Sequence, residues 1–254
     1  MIDKLDLSTK ALSLRNELGE DSMSPIDVFS LSQIIPKLTM VFYPMGDNLS
    51  GMCIKNDNNP LIAINSSMSA GRQRFSMAHE LYHLYYDKST KLTVCAKKIG
   101  TGSDIEKAAD QFASYFLIPP VALSETIKKI QIFSIDNLGI EEIVKLEQYF
   151  GVSRQAILWR LVDDKILTFQ EADKFRNNVI RSAVSLGYDN SLYKPLPENK
   201  QYKTYGHYIQ QAEKLIEKDL ISIGKYEQLL LAAFRSDLVY GDESEESEEY
   251  ELND

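Results

Sequence analysis

The sequence predicts an α+β protein: a small sheet with two helices suited to carry a metal ion, followed by an all-helical C-terminal half. Three observations predict it. Short apolar or β-rich runs bounded by turn formers occur only in the first hundred residues. A helical stretch there contains two histidines four residues apart. Beyond Pro120 the apolar residues recur only at helical spacing.

The elements follow in order. Residues 37–42 (KLTMVF), 50–55 (SGMCIK) and 61–65 (LIAIN) read as strands, with the turn formers Asn56-Asp57-Asn58-Asn59-Pro60 before the third. A helix is predicted over 69–86, where Phe75, Ala78, Tyr82 and Tyr85 recur every three or four residues. Residues 92–96 (LTVCA) suit one more strand. A second helix covers 104–117, with Ala109, Phe112, Ala113 and Phe116 on one stripe, and Pro119-Pro120 stops it. Residues 144–149, a turn at Gly151 and residues 153–161 form a helix-turn-helix pattern, with Ser153 as N-cap. Residues 189–203 hold Pro195 and Pro197 without periodicity and read as a linker. A helical hairpin over 206–218 and 222–238 closes the body. The expected organisation is therefore a metal-binding domain over 1–120, a helical region over 121–188, a linker and hairpin over 189–241, and a tail over 242–254.

Composition bounds the function. The 254 residues are 44% hydrophobic and 26% charged, ordinary values for a globular chain. No apolar run approaches the roughly 18–20 residues that cross a bilayer. The first twenty residues are peppered with charge, so no signal peptide is expected. Two cysteines, Cys53 and Cys95, in no pair motif exclude a disulfide scaffold or a cysteine zinc cluster. They read as small buried residues in a reducing cytoplasm. The formal net charge is −9, but residues 242–254 (DESEESEEYELND) carry eight carboxylates and no cation, so the rest carries −1. A near-neutral body argues against a basic nucleic-acid surface. The tail reads as disordered and solubilising, or as a lure for a basic partner.

His79-Glu80-Leu81-Tyr82-His83 is an H-E-x-x-H motif. Histidines at i and i+4 lie one turn apart on one helix face, so both imidazoles can reach one zinc ion. Glu80, rotated by about 100° from His79, stands beside the metal and faces its water as a general base. A catalytic zinc needs a third protein ligand and an open position. The second helix offers Glu106 and Asp110 on one face. Glu106 completes a His-His-Glu site, and Asp110 is then placed to accept a hydrogen bond from a ligand imidazole. A zincin-like arrangement results.

Three other features admit a functional reading. Arg154, Gln155 and Arg160 on the helix-turn-helix could read DNA, but acids outnumber bases over 141–170, so packing or partner docking is expected there. His207, between Tyr205 and Tyr208, is expected to be structural or exposed. Tyr82, Tyr85 and Tyr86 could supply an oxyanion donor, with core packing the expected role.

Residues 72–83 (RQRFSMAHELYH), 106–113 (EKAADQFA) and 117–119 (LIP) together resemble the ImmA/IrrE family of metallo-endopeptidases. The resemblance extends over about residues 25–120. It implies that His79, His83 and Glu106 bind zinc and that Glu80 is the general base. It further implies a protein substrate, a helix-turn-helix repressor of a phage or mobile element, and a peptide-binding edge strand at 61–65. Residues 150–161 resemble the helix-turn-helix piece that follows in relatives. One departure is Tyr82, where relatives commonly carry Gly; a bulky ring there stands to narrow the cleft. The rival reading is a non-proteolytic regulator or toxin-pair component that keeps the zincin fold and acts by docking. Glu80 favours the enzyme, because a pure binder has no need of that carboxylate.

Overall fold

The computed structural model describes residues 2–88, 91–96, 98–131, 138–198 and 201–241. The acidic tail lies outside these residues.

The chain opens with α1 (Lys4–Glu17), capped by the Asp3 side chain, which accepts from the Leu5 and Asp6 amides. Then follow α2 (Val28–Gln33), β1 (Thr39–Tyr43), β2 (Leu49–Ile54), β3 (Leu61–Asn65), α3 (Ala70–Tyr85), β4 (Leu92–Ala96) and α4 (Asp104–Leu117). Beyond them come α5 (Pro120–Gln131), α6 (Ile140–Phe150), α7 (Arg154–Asp163), α8 (Phe169–Asp173), α9 (Val179–Ser185), a 3-10 turn at Ser191–Tyr193, β5 (Lys203–Gly206), α10 (His207–Glu217), α11 (Ile223–Ala232) and α12 (Asp237–Tyr240). The α+β class is as the sequence predicts. No helix among the described residues is long and apolar enough to cross a membrane.

The sheet has the order β4-β2-β3-β1-β5. β1 and β3 are parallel; every other pair is antiparallel. β3 is thus the central strand, which corrects the expectation that 61–65 forms the edge. The reason is in its composition. Ile62, Ala63 and Ile64 are all buried, as a strand covered on both faces requires. The edge beside β2 is β4, where Leu92, Val94 and Ala96 are exposed and Cys95 alone is buried.

Two elements, α1 and β5, lie outside those the sequence predicts. α1 buries Leu7, Ala11 and Leu14 at helical spacing, and its Arg15 is fully buried. That guanidinium donates to the carbonyls of Asp21 at 2.6 Å, Phe116 at 2.6 Å and Ser24 at 2.5 Å, tying α1 to the end of α4. β5 pairs with β1, and the His207 amide donates to Leu38 O at 2.9 Å. Only glycine suits position 206: its φ is +85°, and a Cβ would lie 2.3 Å from the Leu38 oxygen. The stretch read as a linker is anchored too, since the Ala70 amide donates to Lys194 O at 3.0 Å.

The helix-turn-helix forms as predicted. Gly151 takes a left-handed conformation, and Ser153 Oγ accepts from the Ala156 amide. Its arginines face inward. Arg154 is paired with Glu147 and donates to Phe175 O, while Arg160 donates to Ile118 O at 2.6 Å and to Asp164. Gln155 accepts from Arg72. These side chains are committed to packing. One continuous apolar core runs from Leu7 to Ala172 and backs both α3 and α4.

Candidate metal centre

α3 lies between the sheet and α4. Its apolar residues Phe75, Ala78 and Leu81 are buried, and so are His79, Glu80 and His83. Burying three ionisable groups on one turn and a half is costly unless each finds a partner. α4 supplies the facing side. Ser103 caps it by accepting from the Glu106 amide, so Glu106 stands in the first turn, where the helix dipole favours a carboxylate.

The histidines and acids converge. His79 Nε2 and His83 Nε2 are 3.2 Å apart. Glu106 Oε2 is 3.3 Å from His79 Nε2, and Oε1 is 3.4 Å from His83 Nε2. On their far sides, His79 Nδ1 meets Asp110 Oδ1 at 2.9 Å and His83 Nδ1 meets Asp87 Oδ2 at 3.0 Å. Both Nδ1 atoms therefore donate, which leaves lone pairs on both Nε2 atoms. Two lone pairs and a carboxylate at these separations repel one another unless a positive charge lies between them. The spacing also suits an ion: tetrahedral bonds of about 2.0–2.1 Å place neighbouring ligand atoms about 3.3–3.4 Å apart. His79, His83, Glu106 and Cys95 each offer a ligand atom within 4.8 Å of the others, and this group could hold a metal ion.

The electrostatics agree. Hydrogen bonds from His79 and His83 hold the Glu106 carboxyl down at about 2. Burial pulls the His79 imidazole down, but hydrogen bonds to Asp110, Cys95 and Glu106 outweigh it and leave the ring well above the usual histidine range. The cage attracts positive charge, whether from a proton or a cation.

Glu80 is fully buried, and neither of its carboxylate oxygens makes a hydrogen bond among the described residues. Burial raises its carboxyl, opposed by His79 and by the Cys95 thiol. β2 makes room for it at Gly51, where a Cβ would lie 2.8 Å from Glu80 Oε1 and 2.9 Å from Ala63 O.

All five residues singled out from the sequence thus fall together: His79, His83, Glu80, Glu106 and Asp110. Asp110 also accepts from the Gly100 amide at 2.6 Å. Two participants were missed. Asp87 orients His83 and is itself held by Lys55 Nζ at 3.4 Å; its place four residues after His83 was a readable signal. Cys95 comes from a distant strand, and nothing local marks it.

The tyrosines pack instead of lining the centre. The Tyr82 ring lies 5.6 Å from Phe112 and 5.9 Å from His83, and Tyr86 donates to Lys10 O at 3.0 Å. Tyr82 therefore backs His83 from the α3–α4 interface, where it does not narrow the cleft. A small cleft opens beside His79, lined by Ser50, Phe75, Ser76, Ala96 and Ile99.

A helix presenting two histidines to a carboxylate of a second helix, packed on a mixed sheet, defines a metallopeptidase-type domain. Residues 38–162 match the family model of the IrrE N-terminal-like domain, peptidase M78. Residues 38–162 therefore carry a domain of the ImmA/IrrE type. No curated protein matches the chain.

Proposed function

We propose that the protein is a zinc-dependent endopeptidase of the cytoplasm that cleaves a protein substrate, a helix-turn-helix repressor of a phage or mobile element. The observation that carries the reading is the pair of imidazole Nε2 atoms facing each other and Glu106, with both Nδ1 atoms engaged by carboxylates. His79, His83 and Glu106 would hold the ion. Bound there, zinc supplies Lewis-acid chemistry to a carbonyl and acidifies water.

The chain's own residues do the rest. Asp110 and Asp87 fix the ring tautomers and so aim both Nε2 lone pairs inward. Glu80 takes a proton from the attacking water and passes it to the leaving amine. Its burial supports that role, because burial raises the carboxyl and a raised carboxyl is a stronger base. β4 is the outer strand of the sheet among the described residues, and an extended peptide laid antiparallel along it would bring the scissile bond beside the centre. The repressor class rests on the family resemblance. Two free, buried cysteines fit a reducing compartment.

The test is incubation of the zinc-loaded protein with a helix-turn-helix repressor encoded beside it. A single cleavage is expected, lost in the Glu80→Gln variant. An intact repressor with the parent protein, or equal cleavage by the variant, would refute the reading.

A further inference from the structure

We propose that Cys95 is the fourth protein ligand of the resting metal centre, closing the coordination shell so that no position is left for water. This inference rests on zinc being held by His79, His83 and Glu106, and adds a ligand and a latent state to that reading.

Four observations lead to it. Cys95 is the inward-facing residue of β4, fully buried between exposed Val94 and Ala96. Its Sγ lies within 4.8 Å of the ligand atoms of His79, His83 and Glu106. Thiolate, imidazole and carboxylate are the donors zinc takes, and a set of four protein ligands is the pattern of a closed centre. Glu80 is fully buried beside it, and neither of its oxygens makes a hydrogen bond among the described residues. Cys53, the other cysteine, is equally buried on β2 but belongs to no such group among the described residues.

The step balances without a further reactant. A zinc–sulfur bond forms and the S–H bond breaks. The proton passes to solvent. With sulfur in the fourth position, Glu80 has no bound water to activate. Reprotonation of the sulfur from solvent frees that position again. The ligand sits on an outer strand that pairs with β2, across a register irregularity between Leu49 and Gly51. Ser50 Oγ adds contacts to the Cys95 and Ala96 carbonyls at 3.3 and 3.2 Å. Moving one edge strand therefore suffices to exchange sulfur for water.

Cobalt(II) loading of the full chain tests this, because cobalt reports both coordination number and sulfur ligation. The parent protein is expected to bind one cobalt per chain, with the intense visible bands of four-coordination and a sulfur-to-cobalt charge-transfer band in the near ultraviolet. Cys53→Ala should keep that band. Cys95→Ala and Cys95→Ser should lose it yet still bind cobalt, with affinity lowered by more than about 10-fold, the least that loss of an outer-shell partner costs. One bound cobalt with no charge-transfer band in the parent, or a band that survives in Cys95→Ala, overturns the assignment of Cys95 and leaves the three-ligand centre standing. A parent protein that binds no cobalt overturns the centre itself and the inference with it.

Discussion

Two parts of the molecule bury charge, and they do so in opposite ways. Between α6 and α7, the buried Arg154 spends its guanidinium on both oxygens of Glu147, on Phe175 O and on Ser182 Oγ, while Glu147 also accepts from Tyr193 at 2.7 Å. Every charge there has a protein partner. Between α3 and α4, the imidazole lone pairs face one another, and neither Glu80 oxygen makes a hydrogen bond among the described residues. Buried polar groups that satisfy each other hold a fold in register; buried polar groups left facing each other await something the chain does not supply. The first region reads as architecture and the second as chemistry.

That contrast can be broken by substitution. Glu80→Gln keeps the shape and removes the base. Cleavage should fall by about 10²–10⁴-fold, while metal content and melting temperature stay near those of the parent. A large loss of stability would make Glu80 architectural. Its counterpart is Glu147→Ala, which strands a buried guanidinium. Unfolding in denaturant should show a loss of about 3–5 kcal/mol, with metal affinity per folded molecule unchanged. If the metal affinity fell with it, the two regions would be coupled.

The contrast can also be sharpened. Asp110→Asn and Asp87→Asn each remove the acceptor that fixes one imidazole, and each should weaken metal binding by about 10–100-fold in chelator competition. An unchanged Asp87→Asn would mean that the Lys55 pairing, not the orientation of His83, is what Asp87 serves. Gly51→Ala should have the smallest effect. Its methyl would press on Glu80 and on Ala63 O, costing about 1–3 kcal/mol of stability. Its activity should drop with it, because the carboxylate must move. Full activity would show that Glu80 has slack.

Much of the centre was legible because its spacing is local. Histidines one turn apart, and Glu106 and Asp110 one turn apart on the next helix, follow from 3.6 residues per turn wherever those helices pack. The same rule exposes Asp87, four residues past His83, although no periodic stripe drew attention to it. α1 was hidden by its surface: Lys, Asp and Arg surround the three apolar residues that it buries, and Arg15 itself goes inside. β5 is only four residues long and is made by its partner β1, not by its own composition.

The sequence by itself thus determined the α+β class, the two helices whose residues could hold a metal ion, the cap and turn of the helix-turn-helix and the five residues that meet between those helices, because each depends on contacts within one or two turns of chain. Only the tertiary structure decided which strand is central, which strand lies outermost beside the centre, and that Cys95 joins the histidines. Strand order is a choice among partners far apart in sequence, and side chains brought together by it carry no local mark. β3 shows the difference: its apolar run was visible, but its place between β1 and β2 was settled by the two covered faces that only the assembled sheet provides.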